Sequence, residues 1–405
     1  MFKLKQQLVA GAAALGVALT GGFSAHAEHG QDGRDEGHEG HRRKVFVIAM
    51  ENHNWTQPMN QFTGGQQQIY QNPNAPYLNA LVSGAAGDVS QDVAYATAYH
   101  NVLATPSGNN PHIHPSEPNY IWAEAGDNFG INNDRDPYDP AGPTNQSTSQ
   151  HLSTFLTNAG KTWRSYQEDT DLVNNGGVRA NVPLPQDLWT VPLKSFSGTF
   201  ASGFNAYNFS TQLNYAAKHN PMVFFSDTNG GNDLTPANPL SSHYAPLQQL
   251  AADLASDTVA DYTWITPNQF NDMHTALGAG FQGLTGDPAK IKQGDNFLSE
   301  AVPLIMASDA YRNNGVIVLW WDESEDTVDG ENADDFAHTL PFIVISKDAH
   351  RNVNGVPYAS PLNFSHSSFL RTMQEIFGVG PFLGDAANAT DLSDLFKQGT
   401  IPRLK

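Results

Sequence analysis

Carboxylate, amide and imidazole side chains recur in this sequence directly beside short apolar runs. Four runs have such neighbours: Glu51 and Asn52 after residues 44–50, Asn268, Asn271, Asp272 and His274 after 262–266, Asp322, Glu323 and Glu325 after 315–321, and His338 before 341–346. Side chains of these types bind divalent cations. Any one of them alone could be an ordinary turn or cap residue. Their repetition at four places favours a metal site.

A second candidate site is the segment HIHPSEPNY at residues 112–120, which follows a loop rich in Gly, Asn and Pro and precedes a predicted helix over 120–125. A serine hydroxyl at the start of a helix lies near unpaired backbone N–H groups and the positive end of the helix dipole, where phosphate binds. Ser-Glu-Pro-Asn is also good capping sequence. Ser116 is therefore either part of an anion site or a plain N-cap.

Alternating strands and helices must position these residues. Apolar runs that are typical of buried strands lie at 44–50, 221–226, 262–266, 315–321 and 341–346, and helix-like segments lie at 149–159, 247–255, 296–313 and 369–377. This alternation predicts an α/β fold with a mostly parallel sheet that helices cover on both faces. Ligands of such sheets bind beyond the carboxyl ends of the strands, where the polar residues lie.

Composition sets the class of protein. The 405 residues include 41 acidic and 21 basic side chains and no cysteine, so the chain has no disulfides and a net charge of −20 that disfavours nucleic-acid binding. Residues 1–27 have a basic start, an apolar run and an Ala25-His26-Ala27 cleavage site, which predicts a signal peptide and a secreted or periplasmic protein. Residues 28–43 are predicted to be a disordered polar tether, 44–405 a catalytic domain, and no segment a membrane span.

Several motifs together resemble those of the phosphoesterase family. They are HPSEPNY with GDNFGINND after it, the Glu51-Asn52 pair, WRSYQED at 163–169, KHNP at 218–221, TPN with NDMH at 266–274, and Trp321-Asp322-Glu323. They occur in order between about Val45 and Val379. The family joins bacterial and fungal secreted acid phosphatases with bacterial phospholipases C, inside the alkaline phosphatase superfamily.

The resemblance implies a three-layer α/β/α sandwich, alkaline phosphatase-like, with a metal at the carboxyl edge of the sheet. It implies that Ser116 is the nucleophile, because related phosphodiesterases place theirs before an aromatic-Pro-Asn triplet and Ser116 precedes Glu117-Pro118-Asn119. With the strand-end residues, the expected metal ligands are Glu51, Asn52, Ser116, Asp272, Asp322 and Glu323. The wider superfamily has Asp-His where this chain has Asp322-Glu323, which leaves a second metal site open.

The chemistry of phosphate transfer suggests further roles. A metal would activate the serine hydroxyl, and a histidine would protonate the leaving alcohol; the candidates are His114, His274 and His338. Asn119 and Asn133 are candidate phosphate ligands. Lys161 and Arg164 are either phosphate contacts or members of surface salt bridges.

The expected function is therefore that of a secreted, metal-dependent phosphatase acting on small phosphate monoesters through a phosphoserine. An ordinary histidine acid predicts an optimum at roughly pH 5 to 6.5. One alternative is a phospholipase C or another phosphodiesterase, which would share the nucleophile and the metal. The other is an extracellular binding protein that keeps the fold without the chemistry.

Overall fold

Strands and helices alternate along the chain as the sequence predicts. The computed structural model describes residues 43–55, 69–101, 113–178, 183–324, 339–351 and 354–404, all within the compact unit His41–Lys405. The predicted signal peptide and all but the last residue of the predicted tether lie outside these ranges, so both stay predictions. The strands are β1 Val45–Met50, β2 Val93–His100, β3 Trp163–Gln167, β4 Phe196–Thr199, β5 Gln212–Tyr215, β6 Tyr244–Pro246, β7 Tyr262–Thr266, β8 Val316–Trp321, β9 Phe342–Ser346 and β10 Tyr358–Ser365. The α-helices are α1 Pro76–Ser83, α2 Ser116–Ala125, α3 Leu152–Asn158, α4 Ser226–Asn229, α5 Gln249–Ala255, α6 Gly286–Met306, α7 Asp309–Arg312 and α8 His366–Phe377.

Eight strands form one sheet in the order β10-β2-β9-β8-β1-β7-β3-β6. Within it β9 pairs antiparallel with both of its neighbours, and every other pairing is parallel. The three central strands β8, β1 and β7 are buried along their whole length. Helices cover both faces of a parallel sheet, and that is why these strands are apolar throughout instead of alternating.

The helices pack in two groups. In one, α6 contacts α1 and α7, and α5 contacts α7; in the other, α2 contacts α3 and α8, and α3 contacts α4. With the sheet these groups make the predicted three-layer α/β/α sandwich, and the predicted fold class is confirmed. No helix within the described ranges has the length and apolar character needed to cross a lipid bilayer.

One predicted strand is wrong. Residues 221–226 form a 3-10 turn over Pro221–Phe224, and α4 begins at Ser226. Proline favours the first position of a helical turn, and side chains bond two carbonyls of this turn. Thr228 Oγ1 donates to Met222 O at 2.6 Å, and Asn229 Nδ2 donates to Val223 O at 2.7 Å. The apolar run at 221–226 indicates that the segment is buried, but not that it is a strand.

The sequence does not predict several strands of the sheet, because they contain no long apolar run. β2 is rich in alanine, β3 carries Arg164 and Gln167, and β10 contains Pro361 and Asn363. The helix predicted over 296–313 is two helices: α6 ends at Met306, and Ser308 caps α7 by accepting a hydrogen bond from Tyr311 N at 3.2 Å. β4 and β5 form a hairpin outside the main sheet.

Candidate active site

The polar ends of the central strands meet at one edge of the sheet. Glu51 follows β1, Asp322 follows β8, and Asp272 lies in the loop after β7. Glu51 N donates to Asp272 O at 2.8 Å, and Asn52 N donates to Asp322 Oδ1 at 3.1 Å. All three carboxylate residues have no exposed surface. The structure thus gathers the acidic groups that three separate segments of sequence supply.

The backbone turns sharply just beyond two of these strands. Asn52 has φ 40° and Met273 has φ 85°, in the left-handed region that residues with a Cβ adopt only where packing holds them. Met273 is fully buried, and a Cβ on Gly294 of α6 would overlap its side chain. Packing of Met273 against that glycine fixes the loop that carries Asp272.

Ser116 is the first residue of α2, and its hydroxyl faces the acidic cluster. Oγ lies 3.2 Å from Glu51 Oε2 and 3.2 Å from Glu323 Oε1, and Lys218 Nζ lies 3.4 Å from the same oxygen. A hydroxyl has one proton and can donate to only one of the two carboxylates at a time. The hydroxyl therefore lies between two potential proton acceptors and beside a positive charge.

The first turn of α2 is attached to the cluster by its side chains. Asn119 Nδ2 donates to Glu323 Oε2 at 3.0 Å, and Tyr120 OH donates to Glu51 Oε1 at 2.5 Å. Both residues lie on the sheet side of a helix that is buried throughout. The Pro-Asn-Tyr sequence after Ser116 thus orients the helix and holds the serine against the cluster.

His219 lies between two of the carboxylates. Its Nε2 is 3.1 Å from Glu51 Oε1, its Nδ1 is 3.2 Å from Asp272 Oδ2, and its ring stacks on Tyr120. Burial lowers the pKa of His219 well below its ordinary value, with the charge of Lys218 adding to the effect. A neutral imidazole has only one N–H, so one of its nitrogens presents a lone pair to a carboxylate.

Burial dominates the electrostatics of the cluster. It raises the pKa of Glu51 and of Asp272 well above their ordinary values, and nearby Asp322 adds to both shifts. Burial also raises the pKa of Asp322, to about 6. Burial acts to lower the pKa of Lys218, but the charges of Glu51 and Asp134 outweigh it and the pKa is raised. The ammonium stays charged, and it does not balance all the carboxylates.

The arrangement fits a divalent cation. Ligand atoms of Glu51, His219 and Asp272 all lie within 4.8 Å of one another. Among the described residues, no hydrogen bond of good geometry reaches Asn52 Oδ1, Asp272 Oδ2 or Asp322 Oδ2, although all three are buried. Buried oxygen acceptors, a neutral imidazole and a surplus of carboxylates are a donor set for a hard or borderline metal.

A first prediction concerns the pH dependence of stability. The folded, metal-free protein holds the Asp322 proton up to about pH 6, whereas an unfolded chain loses it near 3.8. The unfolded state binds fewer protons in this window, so the free energy of unfolding of the metal-free protein falls as pH rises, by on the order of 2–3 kcal/mol from this group.

A cation favours the ionised carboxylates and opposes that loss of stability. We expect added Mg²⁺, Mn²⁺ or Zn²⁺ to raise the melting temperature more at pH 7.5 than at pH 5, as thermal unfolding would show; equal shifts would contradict the assignment.

The candidate histidines occupy different positions. His114 Nδ1 lies 2.7 Å from Glu323 Oε2, with 17% of its side chain exposed. Burial and the charges of Lys218 and Lys290 lower the pKa of His274 to about 3, which favours a neutral imidazole over an acid. The His274 ring is 5.8 Å from that of His219, and its backbone N donates to Asp272 Oδ1 at 2.8 Å. His338 lies outside the described residues.

Two predicted substrate ligands are not brought into the cluster. Arg164 lies near the start of β3, where its Nη1 donates to Asp253 Oδ2 at 2.6 Å. Of the two roles considered for Arg164, phosphate contact or salt bridge, the structure places it in a salt bridge. Asn133 Oδ1 accepts from Arg135 N at 3.2 Å in a turn, and the next residue, Asp134, bonds Lys218 at 2.8 Å. Asn133 is therefore adjacent in sequence to a residue that bonds a member of the cluster, Lys218.

The cluster includes three residues for which the sequence predicts no role: Tyr120, Lys218 and His219. Each lies in one of the family-like motifs, KHNP at 218–221 and HPSEPNY at 114–120. Lysine and histidine come from a 3-10 turn over Ala217–His219 directly after β5. Their place in a family-like motif was the available signal, because no long apolar run precedes them.

The chain is similar in sequence to several proteins that are named as phosphatases. A phosphatidylinositol-3-phosphatase of Mycobacterium tuberculosis is 25% identical over 331 residues, 82% of this chain and 79% of that protein. An acid phosphatase of Aspergillus fumigatus is 31% identical over 40% of this chain and 28% of its own length, and a probable acid phosphatase of Kluyveromyces lactis is 26% identical over 52% and 38%. The chain thus spans less than two fifths of these two fungal relatives.

Solved structures resemble the chain more distantly. A 2-O glycosaminoglycan sulfatase has a TM-score of 0.46 at 10% identity, with 90% of this chain and 75% of that one covered. A protein in the alkaline phosphatase superfamily from Vibrio parahaemolyticus has a TM-score of 0.43 at 11% identity, with 87% and 70% covered. Residues 36–380 match the Phosphoesterase family along most of the chain, and the protein belongs to that family.

Proposed function

We propose that this protein is a metal-dependent phosphatase that hydrolyses small phosphate monoesters through a phosphoserine at Ser116. The observation that carries the proposal is the buried Ser116 hydroxyl between Glu51 and Glu323, with Lys218 beside it. A serine hydroxyl needs an adjacent base or a metal to attack phosphorus, and this site offers the base. Membership of the Phosphoesterase family and relatives named as phosphatases support the reaction class.

The first half of the reaction transfers the phosphoryl group to the protein. Ser116 Oγ attacks phosphorus while its proton passes to Glu51 or Glu323, whose oxygens lie 3.2 Å away. The bond from phosphorus to the alcohol oxygen breaks, and the alcohol takes a proton from an acid at the site. His114 is partly exposed and its Nδ1 lies 2.7 Å from Glu323 Oε2, so it is our candidate for that acid. Water then attacks the phosphoserine, Oγ regains a proton, and inorganic phosphate leaves.

Positive charge must stabilise the phosphoryl oxygens during both halves. Lys218 supplies part of it, because its ammonium is within 3.4 Å of the nucleophile. We propose that Glu51, Asn52, Asp272, Asp322, Glu323 and His219 hold a divalent cation together with Ser116. When bound, such a cation supplies the remaining charge at the nucleophile and at the phosphoryl group. Asn119 has a second role besides contact with substrate, since its amide orients Glu323.

The proposed function is tested by comparing a monoester with a diester. We expect p-nitrophenyl phosphate to be hydrolysed with a much higher kcat/KM than p-nitrophenyl phosphorylcholine, in the presence of a divalent cation. A phospholipase C or another phosphodiesterase would reverse this order. Absence of turnover of either ester in metal-loaded, folded protein would support the non-catalytic alternative.

A second prediction concerns Lys218. We expect Lys218→Met to lower kcat/KM for p-nitrophenyl phosphate by roughly one to three orders of magnitude, because a charge at the transferring phosphoryl group is lost. Lys161→Met is the matched control: that lysine lies over the Phe377 ring, 6.0 Å from its centroid, and we expect near-normal rates. Equal rates for the wild type and Lys218→Met would contradict this role.

Export from the cytoplasm also belongs to the proposal. It rests on the predicted signal peptide at residues 1–27, and N-terminal sequencing of the native protein tests it. A mature chain that begins at Glu28 is the expected result. A native chain that still carries residues 1–27 would contradict cleavage at that site.

A further inference from the structure

An apolar cavity lies against the hairpin of β4 and β5. It has a volume of about 450 Å³ and is lined mainly by apolar side chains, among them Leu172, Val191, Phe196, Leu213 and Leu234. That volume is within the range of small-molecule sites, about 300–1,000 Å³. Leu234 is 47% exposed, so part of the apolar lining faces solvent. The reaction proposed above leaves this cavity without a role.

One strand of the cavity wall leads along the chain to the active site. Its lining includes Phe196 of β4 and Leu213 of β5, and β5 ends at Tyr215. Directly after it, the 3-10 turn Ala217–His219 places Lys218 and His219 in the cluster. The strand that forms one wall of the cavity is therefore followed, three and four residues after its end, by Lys218 and His219 of the site.

A second connection fixes the rim of the cavity. Ser195 lines it, and its Oγ accepts from Ala217 N at 2.9 Å and donates to Asp136 Oδ1 at 2.6 Å. Ala217 precedes Lys218, and the segment of Asp136 also carries Asp134, which bonds Lys218 at 2.8 Å. These bonds hold the rim against the turn whose next residue is Lys218.

We propose that this cavity binds the apolar alcohol part of the substrate, so that the protein prefers phosphate monoesters of alkyl or similar apolar alcohols over those of polar ones. The inference rests on the proposed phosphatase function and names its substrate class. The alcohol of an ester whose phosphoryl group lies at Ser116 and Lys218 would reach this cavity past the turn Ala217–His219, to which the rim residue Ser195 is bonded. Burial of each methylene in it favours binding by up to about fourfold.

The test uses soluble n-alkyl phosphates from ethyl to octyl, with release of inorganic phosphate as the readout. We expect kcat/KM to rise with chain length, by at least about tenfold from ethyl to octyl. Turnover that is the same for every chain length, or that falls with length, would overturn the cavity assignment while leaving phosphatase activity established. Absence of turnover of every ester, including p-nitrophenyl phosphate, would instead reject the proposed function.

A pair of matched variants makes the test specific. Leu234→Asp places a charge at the cavity, and Leu362→Asp places one at a leucine of similar exposure, 44%, on β10. Both positions are at the surface, so neither substitution should prevent folding. We expect Leu234→Asp to lower the octyl-to-ethyl ratio of kcat/KM at least about fivefold, and Leu362→Asp to leave that ratio as in the wild type. Equal ratios in both variants would overturn the proposal.

The apolar alcohol has two possible sources, a soluble ester or a lipid in a bilayer. The loop between β4 and β5 exposes Phe204 by 56% and Phe209 by 70%. A lipid arm of the experiment uses phosphatidic acid in phosphatidylcholine vesicles, and compares wild type with Phe209→Ser. Hydrolysis that depends on Phe209 identifies the bilayer as the source, whereas octyl phosphate turned over alone identifies a soluble ester. Either result supports the cavity. Hydrolysis of p-nitrophenyl phosphate without hydrolysis of octyl phosphate or phosphatidic acid would overturn it.

Discussion

Ser116→Ala should lower kcat by at least about three orders of magnitude while the protein still folds. The substitution removes the oxygen that the proposed reaction joins to phosphorus, while the carboxylates and the ammonium around it stay in place. Removing the hydroxyl also removes two hydrogen bonds, but it leaves the cluster's other contacts in place. Steady-state turnover of p-nitrophenyl phosphate measures the loss, and acid-quenched protein incubated with labelled substrate measures the phosphoserine.

A matched control separates chemistry from packing. Ser153 is a fully buried serine in the first turn of α3, and its Oγ has no hydrogen-bond partner among the described residues. We expect Ser153→Ala to keep both near-normal turnover and the labelled intermediate. Full activity in a folded Ser116→Ala protein, or label that persists in it, would refute Ser116 as the nucleophile.

The central part of the site could be predicted from sequence for a physical reason. Strands buried on both faces are apolar along their whole length, so β1, β7 and β8 stand out as runs, and any charged residue at their ends is conspicuous. Parallel strands then bring Glu51, Asp272 and Asp322 to one edge. Neither step requires knowledge of the strand order, although that order places the three strands side by side.

The rest of the site depends on segments that have no such pattern. β5 is a short strand outside the main sheet, and the turn that follows it carries Lys218 and His219. The apolar run at 221–226 is buried in a 3-10 turn, so hydrophobicity alone gave the wrong element there. The pairing of His219 with Glu51 joins residues far apart in the chain, and only the folded structure shows it.

The pKa shifts in the cluster could not be predicted from the sequence either. The composition shows many acidic residues, but only burial distinguishes Asp322, whose pKa is raised to about 6, from a surface carboxylate. Burial likewise favours a neutral imidazole at His274, which is one of the three candidate acids. The predicted acidic optimum therefore depends on His114 or on His338, which lies outside the described residues. A profile of kcat/KM that still rises above pH 8 would exclude a histidine acid.

Asp322→Asn should remove bound metal and, with it, turnover. Asp322 lies directly after β8 with no exposed surface, and its Oδ1 accepts from Asn52 N at 3.1 Å. An asparagine can still accept that bond, so the local backbone is expected to stay in place. The substitution removes the negative charge that a cation needs, which weakens binding by at least about a hundredfold. Metal content after gel filtration, measured by elemental analysis, should fall close to zero.

Asp295→Asn is the control, because it alters a carboxylate of similar character in a different place. Asp295 in α6 is buried, its pKa is raised to about 6, and it accepts from Tyr77 N and Leu78 N at the start of α1. We expect this variant to keep metal and activity, since its amide oxygen can still accept one of the two bonds from α1 and the position is away from the acidic cluster. Chelation of the wild type should reproduce the Asp322→Asn loss, and added cation should reverse it in the wild type alone. An active wild-type preparation that contains no metal would refute the cation, and metal retained by Asp322→Asn would refute this ligand, because a buried charge in direct contact with a cation cannot be removed without a large loss of affinity.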